Sequence, residues 1–426
     1  MEVPKRIYMV GIGGIGMSAL AQLLVHEGKT VSGTDRDDSP VVEMLSKKGI
    51  EVTIGVGGAP EGTELLIYSD AVPASNAVRT QARELGISEL SYFEALGEVS
   101  KGKRTIAVAG THGKTTTTGM LAKILSDAGK RPTAIVGSIV RDFGSNFLAG
   151  DDDLFVVEAC EYRDHVLKLD PEILVITNIE LDHTDYFPDL DALKETFGKA
   201  VQKLPAHGAL VTDQNDPTIA DVIKTYGSRT SVFDYTKEEV PELGLIGEFN
   251  RMNARAASSA AKALFPDIKQ GTIDRALSDF QGSWRRFEYK GETPSGALVY
   301  DDYAHHPTAI QKTVEAARGK FPEKRIVVAF HPHLYSRTKS LLHEFAVALA
   351  KADEAIVAPI YAAREEPDPN ISNHVLAREA AALGGDVIAL DSFDAIRDEL
   401  LKSDSSHLII TMGAGDIYKV AEQIAD

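Results

Sequence analysis

Two glycines, a lysine and a threonine separate an apolar run at 106–109 from a helical pattern, in the order Gly110, Gly113, Lys114 and Thr115. A strand, a glycine loop and a helix in this order place backbone N–H groups and the helix dipole toward an anion. In such a loop the lysine neutralises the β- and γ-phosphates, and the threonine hydroxyl joins the coordination of Mg²⁺. The spacing between the glycines is shorter than in the common loop. We interpret the segment as a site for ATP or GTP rather than as a turn with a surface lysine.

A second glycine-rich turn lies near the start of the chain. Gly11, Gly13 and Gly16 separate a strand-like run from a helical pattern, and Asp35 ends the next strand-like run. This spacing, with an acid about 20 residues later, predicts a diphosphate on a helix N-terminus and a carboxylate at a ribose hydroxyl. UDP and NAD each carry a diphosphate and a ribose, so the pattern fits either ligand. Asp35 also has a second interpretation, as the cap of a turn or helix.

Polar residues follow strand-like runs in the middle of the chain. Glu158 ends the run at 154–157, and His183 lies beyond the run at 173–177. Because ligand groups emerge at the carboxyl ends of parallel strands, we expect both side chains to face the phosphate loop. Asn250 lies near the start of an alanine-rich helix, where it is either a helix cap or a contact to an adenine edge.

The last third of the chain repeats the pattern of apolar runs that end in polar or glycine residues. This pattern is typical of a doubly wound sheet with a functional edge. The histidines there do not predict zinc, because neither a cysteine nor an H-E-x-x-H motif accompanies them. The residues concerned are Arg286, Asp302, His305, His306, His333, Arg337, Arg364, Gly413, Ala414 and Gly415.

The composition limits the classes of function. The 426 residues carry a formal net charge of −18, which argues against general affinity for nucleic acid or an anionic membrane. The one cysteine, Cys160, cannot form an internal disulfide, which fits a reducing compartment. The sequence shows neither a signal-peptide pattern nor an apolar run of about 18 residues. We therefore expect a soluble, cytoplasmic protein without nucleic-acid or membrane partners.

Together these motifs resemble the Mur ligase family of peptidoglycan synthesis over nearly the whole chain. The loop at 110–115 is shared with a broader group of ATP-dependent amide ligases, whereas the C-terminal motifs point to the branch that adds alanine and to its close relatives. Phe249 departs from the family pattern, which usually has histidine there. The segments that carry the resemblance are 11–16, 110–117, 158–161, 177–183, 285–288, 301–307, 332–338, 360–365 and 412–417.

The resemblance implies an α/β fold of three Rossmann-like or P-loop domains with mostly parallel sheets. The expected domains bind the UDP-substrate (1–99), ATP (100–284) and the amino acid (285–426). The implied reaction is ATP-dependent ligation of L-alanine to the lactyl carboxylate of UDP-N-acetylmuramate through an acyl phosphate, in cell wall biogenesis. The implied cofactors are ATP and a pair of Mg²⁺ ions, which Mn²⁺ can replace. We expect a monomer or a homodimer.

The resemblance also assigns roles to residues. The expected catalytic residues are Lys114, His305, His306 and Arg337, with either histidine as the acceptor of the amine proton. The expected ATP-binding residues are Gly110, Thr111, His112, Gly113, Lys114, Thr115, Thr116, Asn250, Arg286 and Asp302. The expected substrate-binding residues are Gly11, Gly13, Gly14, Ile15, Gly16, Asp35, Ser69, His333, Arg364, Gly413, Ala414 and Gly415. The expected metal ligands are Thr115, Glu158 and His183.

Other functions stay open at this point. A nicotinamide-dependent dehydrogenase would use the turn at 11–16 and Asp35, but it leaves the phosphate loop unexplained. A ligase that recycles peptidoglycan by adding a tripeptide to UDP-N-acetylmuramate would share most of the motifs. A folyl- or other polyglutamate synthetase would lack the glycine-rich first domain. The sequence does not separate alanine from serine or glycine as the substrate.

Overall fold

Alternating strands and helices make up the described part of the chain. The computed structural model describes residues 3–151, 153–227, 229–363 and 365–425, whose strands form three mostly parallel sheets, as the resemblance implied. The chain divides into two compact units. One unit comprises Met1–Glu180, Asp191–Glu242 and Met252–Gln281, and the other comprises Leu181–Leu190, Leu243–Arg251 and Gly282–Asp426. No helix within the described residues is long and apolar enough to cross a membrane.

The N-terminal part of the first unit is a parallel sheet with helices between its strands. Its strands are β1 (Arg6–Val10), β2 (Thr30–Asp35), β3 (Glu51–Ile54), β4 (Leu65–Tyr68) and β5 (Ser88–Ser91). Its helices are α1 (Ile15–His26), α2 (Pro40–Lys47), α3 (Ala77–Glu84) and α4 (Tyr92–Ser100). The strand order β3-β2-β1-β4-β5 reverses direction between β1 and β4. Ligands of open α/β sheets bind at such a reversal, so the turn after β1 lies where the fold favours a ligand.

The central sheet of the first unit surrounds the strand that carries the phosphate loop. Its strands are β6 (Arg104–Ala109), β7 (Thr133–Val140), β8 (Ser145–Leu148), β9 (Leu154–Glu158), β10 (Ile173–Ile176), β11 (Ala209–Thr212) and β12 (Ser231–Asp234). The helices that follow along the chain are α5 (Lys114–Asp127), α6 (Leu190–Gln202), α7 (Pro217–Tyr226), α8 (Glu248–Leu264) and α9 (Gln270–Ser278). The order is β12-β11-β10-β6-β9-β7-β8, in which the hairpin partner β8 is antiparallel. β6 therefore lies between β9 and β10.

The C-terminal sheet belongs to the second unit. Its strands are β13 (Glu288–Glu292), β14 (Leu298–Asp302), β15 (Arg325–Phe330), β16 (Glu354–Val357), β17 (Val387–Ala389) and β18 (His407–Met412). Its helices are α10 (Pro307–Lys320), α11 (Tyr335–Ser340), α12 (Leu342–Leu349), α13 (Asn373–Ala382), α14 (Phe393–Leu400) and α15 (Tyr418–Ile424). The order is β13-β14-β18-β15-β16-β17, with β13 antiparallel. The carboxyl ends of β14, β18 and β15 are in register, so the polar residues after them share one edge.

A buried amide, Asn146 on β8, joins the central sheet to the N-terminal sheet. Its Nδ2 donates to the carbonyl oxygen of Ile15 at 2.5 Å and to the hydroxyl of Ser18 at 2.8 Å. Its Oδ1 accepts from Nε2 of Gln22 at 2.9 Å, and Gln22 in turn accepts from Nζ of Lys48. Asn146 is completely buried. The central hairpin is therefore bonded to the first turns of α1, which follow the glycine-rich turn.

We expect Asn146→Ala to lower the free energy of unfolding by about 2–4 kcal/mol, because the change removes three hydrogen bonds to buried polar groups of α1 and leaves a cavity. Urea denaturation followed by circular dichroism measures this loss. Asn215→Ala is the matched control, since Asn215 is exposed and its removal should change stability by less than about 0.5 kcal/mol. Equal stability of the two variants would contradict the role given to Asn146.

Candidate nucleotide and substrate sites

Two glycines with positive φ shape the phosphate loop. Gly110 has φ +120° and Gly113 has φ +83°, conformations that residues with a side chain rarely adopt. A Cβ at Gly113 would overlap the side chain of Asn253, and one at Gly110 would overlap Thr177. Helix α5 begins at Lys114, directly after the loop. The positive end of its dipole therefore lies at the carboxyl end of β6, which fits a bound phosphate.

Lys114 stays a cation although it is largely buried. Burial works to lower its pKa, but the carboxylates, above all Glu161, outweigh this effect and raise it. Nζ of Lys114 lies 3.0 Å from both carboxylate oxygens of Glu161. It also donates to the carbonyl oxygens of Gly110 at 2.5 Å and Thr111 at 3.2 Å. The ammonium group is thus held against the loop, where it is placed to neutralise a phosphate.

Glu158 lies beside the phosphate loop because β9 pairs with β6, with Val108 opposite Glu158. One carboxylate oxygen accepts from the Thr115 hydroxyl at 3.1 Å, and the other accepts from the N–H of Gly137 at 2.7 Å. A carboxylate and a hydroxyl at this distance are ligands that a hard divalent cation prefers. Thr115 and Glu158 therefore fit the implied metal. His183 belongs to the second unit, and its role as a metal ligand stays a prediction.

The segment after β10 holds the loop from the other side. The N–H of His112 donates to Oδ1 of Asn178 at 2.9 Å, and its carbonyl oxygen accepts from the Thr177 hydroxyl at 2.6 Å. Nε2 of His112 lies 3.0 Å from a carboxylate oxygen of Glu180, whose carbonyl oxygen accepts from the Thr111 hydroxyl at 2.8 Å. Protein contacts from two neighbouring strands therefore determine the conformation of the loop.

The glycine-rich turn after β1 forms the second candidate anion site. Asp35 accepts a hydrogen bond from the N–H of Gly13 at 2.8 Å, so its carboxylate caps the turn, as one of the two interpretations predicted. Ser69, directly after β4, packs against Gly11, where an added Cβ would lie 3.0 Å from the Cβ of Ser69. These residues meet where α1 begins at Ile15. The contact of Asp35 with a ribose hydroxyl stays a prediction.

In the second unit, Arg337 is paired with a buried carboxylate. Its Nε and Nη2 lie 3.0 Å and 2.7 Å from Oδ1 of Asp182, and its Nη1 lies 3.3 Å from Nδ1 of His333. Burial alone would raise the pKa of Asp182, but Arg337 and the nearby histidines hold it well below its ordinary value. The ionised Asp182 therefore orients Arg337, which sequence analysis assigned to catalysis.

The two candidate proton acceptors have different surroundings. Nδ1 of His305 lies 3.0 Å from the carbonyl oxygen of Tyr303, to which it donates, so Nε2 is the basic nitrogen. Burial lowers the pKa of His305 well below its ordinary value, so the ring is neutral near pH 7. Nδ1 of His306 instead accepts from the N–H of Thr308 at 3.3 Å and caps α10. This difference favours His305 over His306 as a proton acceptor.

Arg285, which sequence analysis did not assign to the site, holds the loop after β18. Its Nε lies 2.8 Å from a carboxylate oxygen of Asp301, and both side chains are buried. Its Nη1 and Nη2 donate to the carbonyl oxygens of Gly415 at 2.9 Å and Gly413 at 2.6 Å. The N–H of Gly413 donates to the carbonyl oxygen of Asp302 at 3.1 Å. The N–H of Gly413 is therefore engaged by the backbone, and the contact of Gly413 with the alanine carboxylate stays a prediction.

Asp302 is a buried carboxyl group with an unusual pKa. Burial raises its pKa to about 6, although Arg286 opposes the increase. Its Oδ1 accepts from the N–H of Ala304 at 2.9 Å, and its Oδ2 accepts from the Thr313 hydroxyl at 3.2 Å. Asp302 thus connects β14 to α10. Its predicted contact with ATP stays a prediction.

Asn250 lies inside the first turn of α8, which begins at Glu248. Its Nδ2 donates to the carbonyl oxygen of Ile246 at 2.8 Å. The interpretation of Asn250 as the helix cap is wrong, because the helix starts two residues earlier. Its contact with an adenine edge stays a prediction.

The structure does not test the roles predicted for the remaining residues. Arg286 lies with its guanidinium 5.1 Å from the ring centre of Tyr303. Thr116 is buried in the first turn of α5. Arg364 lies outside the described residues. The roles of Arg286, Thr116, Ala414 and Gly415 stay predictions.

The sequence analysis missed the acidic residues that form ion pairs with the cations of the candidate sites. It assigned no role to Glu161, Asp182 or Asp301, which pair with Lys114, Arg337 and Arg285 respectively. Each of these acids stands inside a motif that carried the resemblance. Their position in those motifs was the available signal, but it did not identify which cation each would meet.

The phosphate loop, the glycine-rich turn and the mostly parallel sheets define a nucleotide-binding α/β protein. Comparison with known proteins identifies the family within this class. "Mur ligase family, catalytic domain" matches residues 6–104, "Mur ligase middle domain" matches residues 108–240, and "Mur ligase, glutamate ligase domain" matches residues 285–415.

Relatives and a solved structure agree with these matches. The UDP-N-acetylmuramate–L-alanine ligases of Lachnospira eligens and Caldanaerobacter subterraneus subsp. tengcongensis are each 38% identical to this chain. The alignments cover 99% and 100% of this chain and 98% of each relative. The solved UDP-N-acetylmuramate-alanine ligase of Thermotoga maritima matches with a TM-score of 0.80 and 26% identity, over 99% of this chain and 98% of that chain. The chain belongs to the Mur ligase family and is an ATP-dependent ligase.

We expect the variant Asp302→Asn to gain stability relative to the wild type as the pH rises. Asp302 has a pKa of about 6 in the folded state and about 3.9 when unfolded, so the wild type loses stability from about pH 4 to about pH 6. The asparagine cannot titrate. Between pH 5 and pH 8 the difference should grow by about 1 kcal/mol, as measured by urea denaturation at both pH values.

The control for this prediction is Asp394→Asn, because Asp394 is an exposed carboxylate of the same unit. A stability difference that changes more with pH for Asp302→Asn than for Asp394→Asn supports the prediction. A flat pH dependence for Asp302→Asn would show that the carboxyl group of Asp302 titrates normally.

Proposed function

We propose that this protein joins L-alanine to the lactyl carboxylate of UDP-N-acetylmuramate, with conversion of ATP to ADP and phosphate. The observation that carries the proposal is the 38% identity, over essentially the full length of both chains, to ligases named for these substrates. The reaction belongs to peptidoglycan synthesis and hence to cell wall biogenesis, cell shape and cell division. Its location is the cytoplasm.

The chemistry has two steps. The carboxylate takes the γ-phosphoryl group of ATP, which gives an acyl phosphate and ADP. The amine of alanine then attacks the acyl carbon, phosphate leaves, and the amine loses a proton. The first step brings two anions together, so it requires cations at the point of transfer.

Residues of the phosphate loop support the first step. Lys114 neutralises charge on the transferred phosphoryl group, and Thr115 and Glu158 hold Mg²⁺, which Mn²⁺ can replace. The metal stabilises the negative charge that the phosphates bring to the site. A second ion bound by His183 is part of the proposal. The short distance between the Thr115 hydroxyl and the Glu158 carboxylate, 3.1 Å, supports the first metal position.

Residues of the C-terminal domain support the second step. Nε2 of His305 accepts the proton of the attacking amine, because the ring is neutral and its Nδ1 is already bonded to the Tyr303 carbonyl. Arg337, oriented by Asp182, stabilises negative charge on the reacting groups. The alanine carboxylate lies near Ala414 and its neighbours.

Each substrate has its own domain in this proposal. Residues 1–99 bind the UDP-substrate, residues 100–284 bind ATP, and residues 285–426 bind alanine. The protein acts as a monomer or a homodimer, without nucleic-acid or membrane partners.

Phosphate release tests the function directly. We expect release that requires ATP, UDP-N-acetylmuramate and L-alanine together, in an assay that crosses UDP-sugars with single amino acids and with the tripeptide of the recycling reaction. Lys114→Ala should reduce the rate by at least about 100-fold, because the loop loses its cation at the phosphoryl group. Calorimetric binding of UDP-N-acetylmuramate to this variant should match the wild type.

Two outcomes would contradict the proposal. Release with the tripeptide but not with alanine would assign the protein to peptidoglycan recycling. Loss of UDP-N-acetylmuramate binding in Lys114→Ala, with ATP hydrolysis preserved, would overturn the assignment of the two domains.

The metal ligand is tested separately. We expect Glu158→Gln to raise the Mg²⁺ concentration for half-maximal rate by about tenfold, because an amide oxygen is a weaker ligand of a hard cation than a carboxylate. Glu172→Gln is the control, since Glu172 forms a partly exposed ion pair with Arg104 just before β10. An unchanged Mg²⁺ requirement in Glu158→Gln would remove Glu158 from the metal site.

A further inference from the structure

Tyr92 lies directly against the glycine-rich turn that precedes α1. It is the first residue of α4, where Ser91 and Glu94 form a capping box that fixes the start of the helix. A Cβ added to Gly16 would lie 2.7 Å from Cζ of Tyr92 and 2.8 Å from its hydroxyl oxygen. The hydroxyl group therefore lies beside the first turn of α1, where a diphosphate is expected.

The hydroxyl of Tyr92 is a hydrogen-bond donor that the described residues do not use. Burial, followed by the negative charge of Glu158, raises the pKa of Tyr92 far above its ordinary value, so the phenol stays protonated. The aromatic ring is held by edge-to-face packing on Phe93, at 4.6 Å between ring centres. Phe93 in turn stacks on the ring of His165 at 3.6 Å. The orientation of Tyr92 is thus fixed by packing rather than by a hydrogen bond of its hydroxyl.

This position is close to the turn assigned to the UDP-substrate, because the Tyr92 ring packs against Gly16. The negative charge of Glu158, which bonds Thr115 of the phosphate loop, also acts on Tyr92. A hydroxyl group at this place can meet a diphosphate bound at the start of α1. A neutral O–H group is suited to this place, because it can bond a phosphate oxygen without attracting the carboxylate end of the substrate away from Lys114.

We propose that the hydroxyl group of Tyr92 donates a hydrogen bond to the diphosphate of the UDP-substrate. This inference rests on the proposed function, because it takes UDP-N-acetylmuramate as the ligand of the N-terminal domain. Tyr92 is in this view a substrate-binding residue that contributes affinity for the UDP group. It does not take part in the transfer of the phosphoryl group.

The test is Tyr92→Phe, which removes the hydroxyl group and keeps the ring. We expect the Kd values for UDP and for UDP-N-acetylmuramate, measured by calorimetry, to rise together by about tenfold, as is typical for a lost hydrogen bond to a charged group. The KM for UDP-N-acetylmuramate should rise by a similar factor, whereas kcat and the KM for ATP should change by less than about twofold.

Tyr226→Phe is the matched control. The ring of Tyr226 also packs against a glycine, Gly198, but it lies just before β12, at the amino edge of the central sheet. It is therefore remote from the loops at the carboxyl edge. Both variants should keep the thermal stability of the wild type to within about 3 °C, and only Tyr92→Phe should lose affinity for UDP.

The outcomes separate this inference from the proposed function. If wild-type protein turns over UDP-N-acetylmuramate and Tyr92→Phe binds UDP as tightly, the inference is wrong and the function stands. If Tyr92→Phe weakens the binding of UDP-N-acetylmuramate but not the binding of UDP, the hydroxyl contacts another part of the substrate and the proposed diphosphate contact is wrong. If wild-type protein binds UDP but releases no phosphate with alanine, the function fails, and the comparison of UDP affinities still decides the role of Tyr92.

Discussion

The position of β6 between β9 and β10 is the constraint on which the nucleotide site depends. Parallel pairing places Glu158 opposite Val108 on one side and Ile176 opposite Ala109 on the other. Strands of a parallel sheet end at a common edge, so residues separated by about 50 positions or more along the chain reach the same loop. The loop receives a metal-binding carboxylate from one neighbour and hydrogen bonds that determine its shape from the other. A change in the register of β6 against its two neighbours would displace the phosphate loop from both the carboxylate and these hydrogen bonds.

Pairing of cations with carboxylates is the second feature that both units share. Lys114 forms an ion pair with Glu161, and Arg337 forms one with Asp182. Removing two charges from water costs nearly as much as their attraction returns, so such pairs are weak contributors to stability. Their effect is to hold a cation in one orientation in a protein whose net charge is −18. A bound phosphate then meets a cation that is already positioned, which reduces the reorganisation that catalysis requires.

Much of the architecture follows from local patterns in the sequence. Long apolar runs that end in glycine predicted β1 and β6 correctly, and the helices after them, because a buried parallel strand must be apolar throughout. The spacing of Gly110, Gly113 and Lys114 predicted a phosphate loop, since residues other than glycine rarely adopt the positive φ that the loop needs. The short edge strand β3 was missed, because its four mostly exposed residues are too few for their alternation of polar and apolar side chains to stand out.

By itself, the sequence determined which residue types stand at the ends of strands, and therefore the kind of chemistry that the protein performs. Only the tertiary structure decided which of those residues meet. In the structure the carboxylate of Asp35 accepts from the N–H of Gly13, and the N–H of Gly413 donates to a backbone carbonyl oxygen. Arg285 forms an ion pair with Asp301. These contacts depend on strand order and register, which join segments that are distant in sequence. The spacing of residues along the chain does not reveal the strand order. A crossover helix can connect two strands that are neighbours in the sheet or two strands that are separated by another strand.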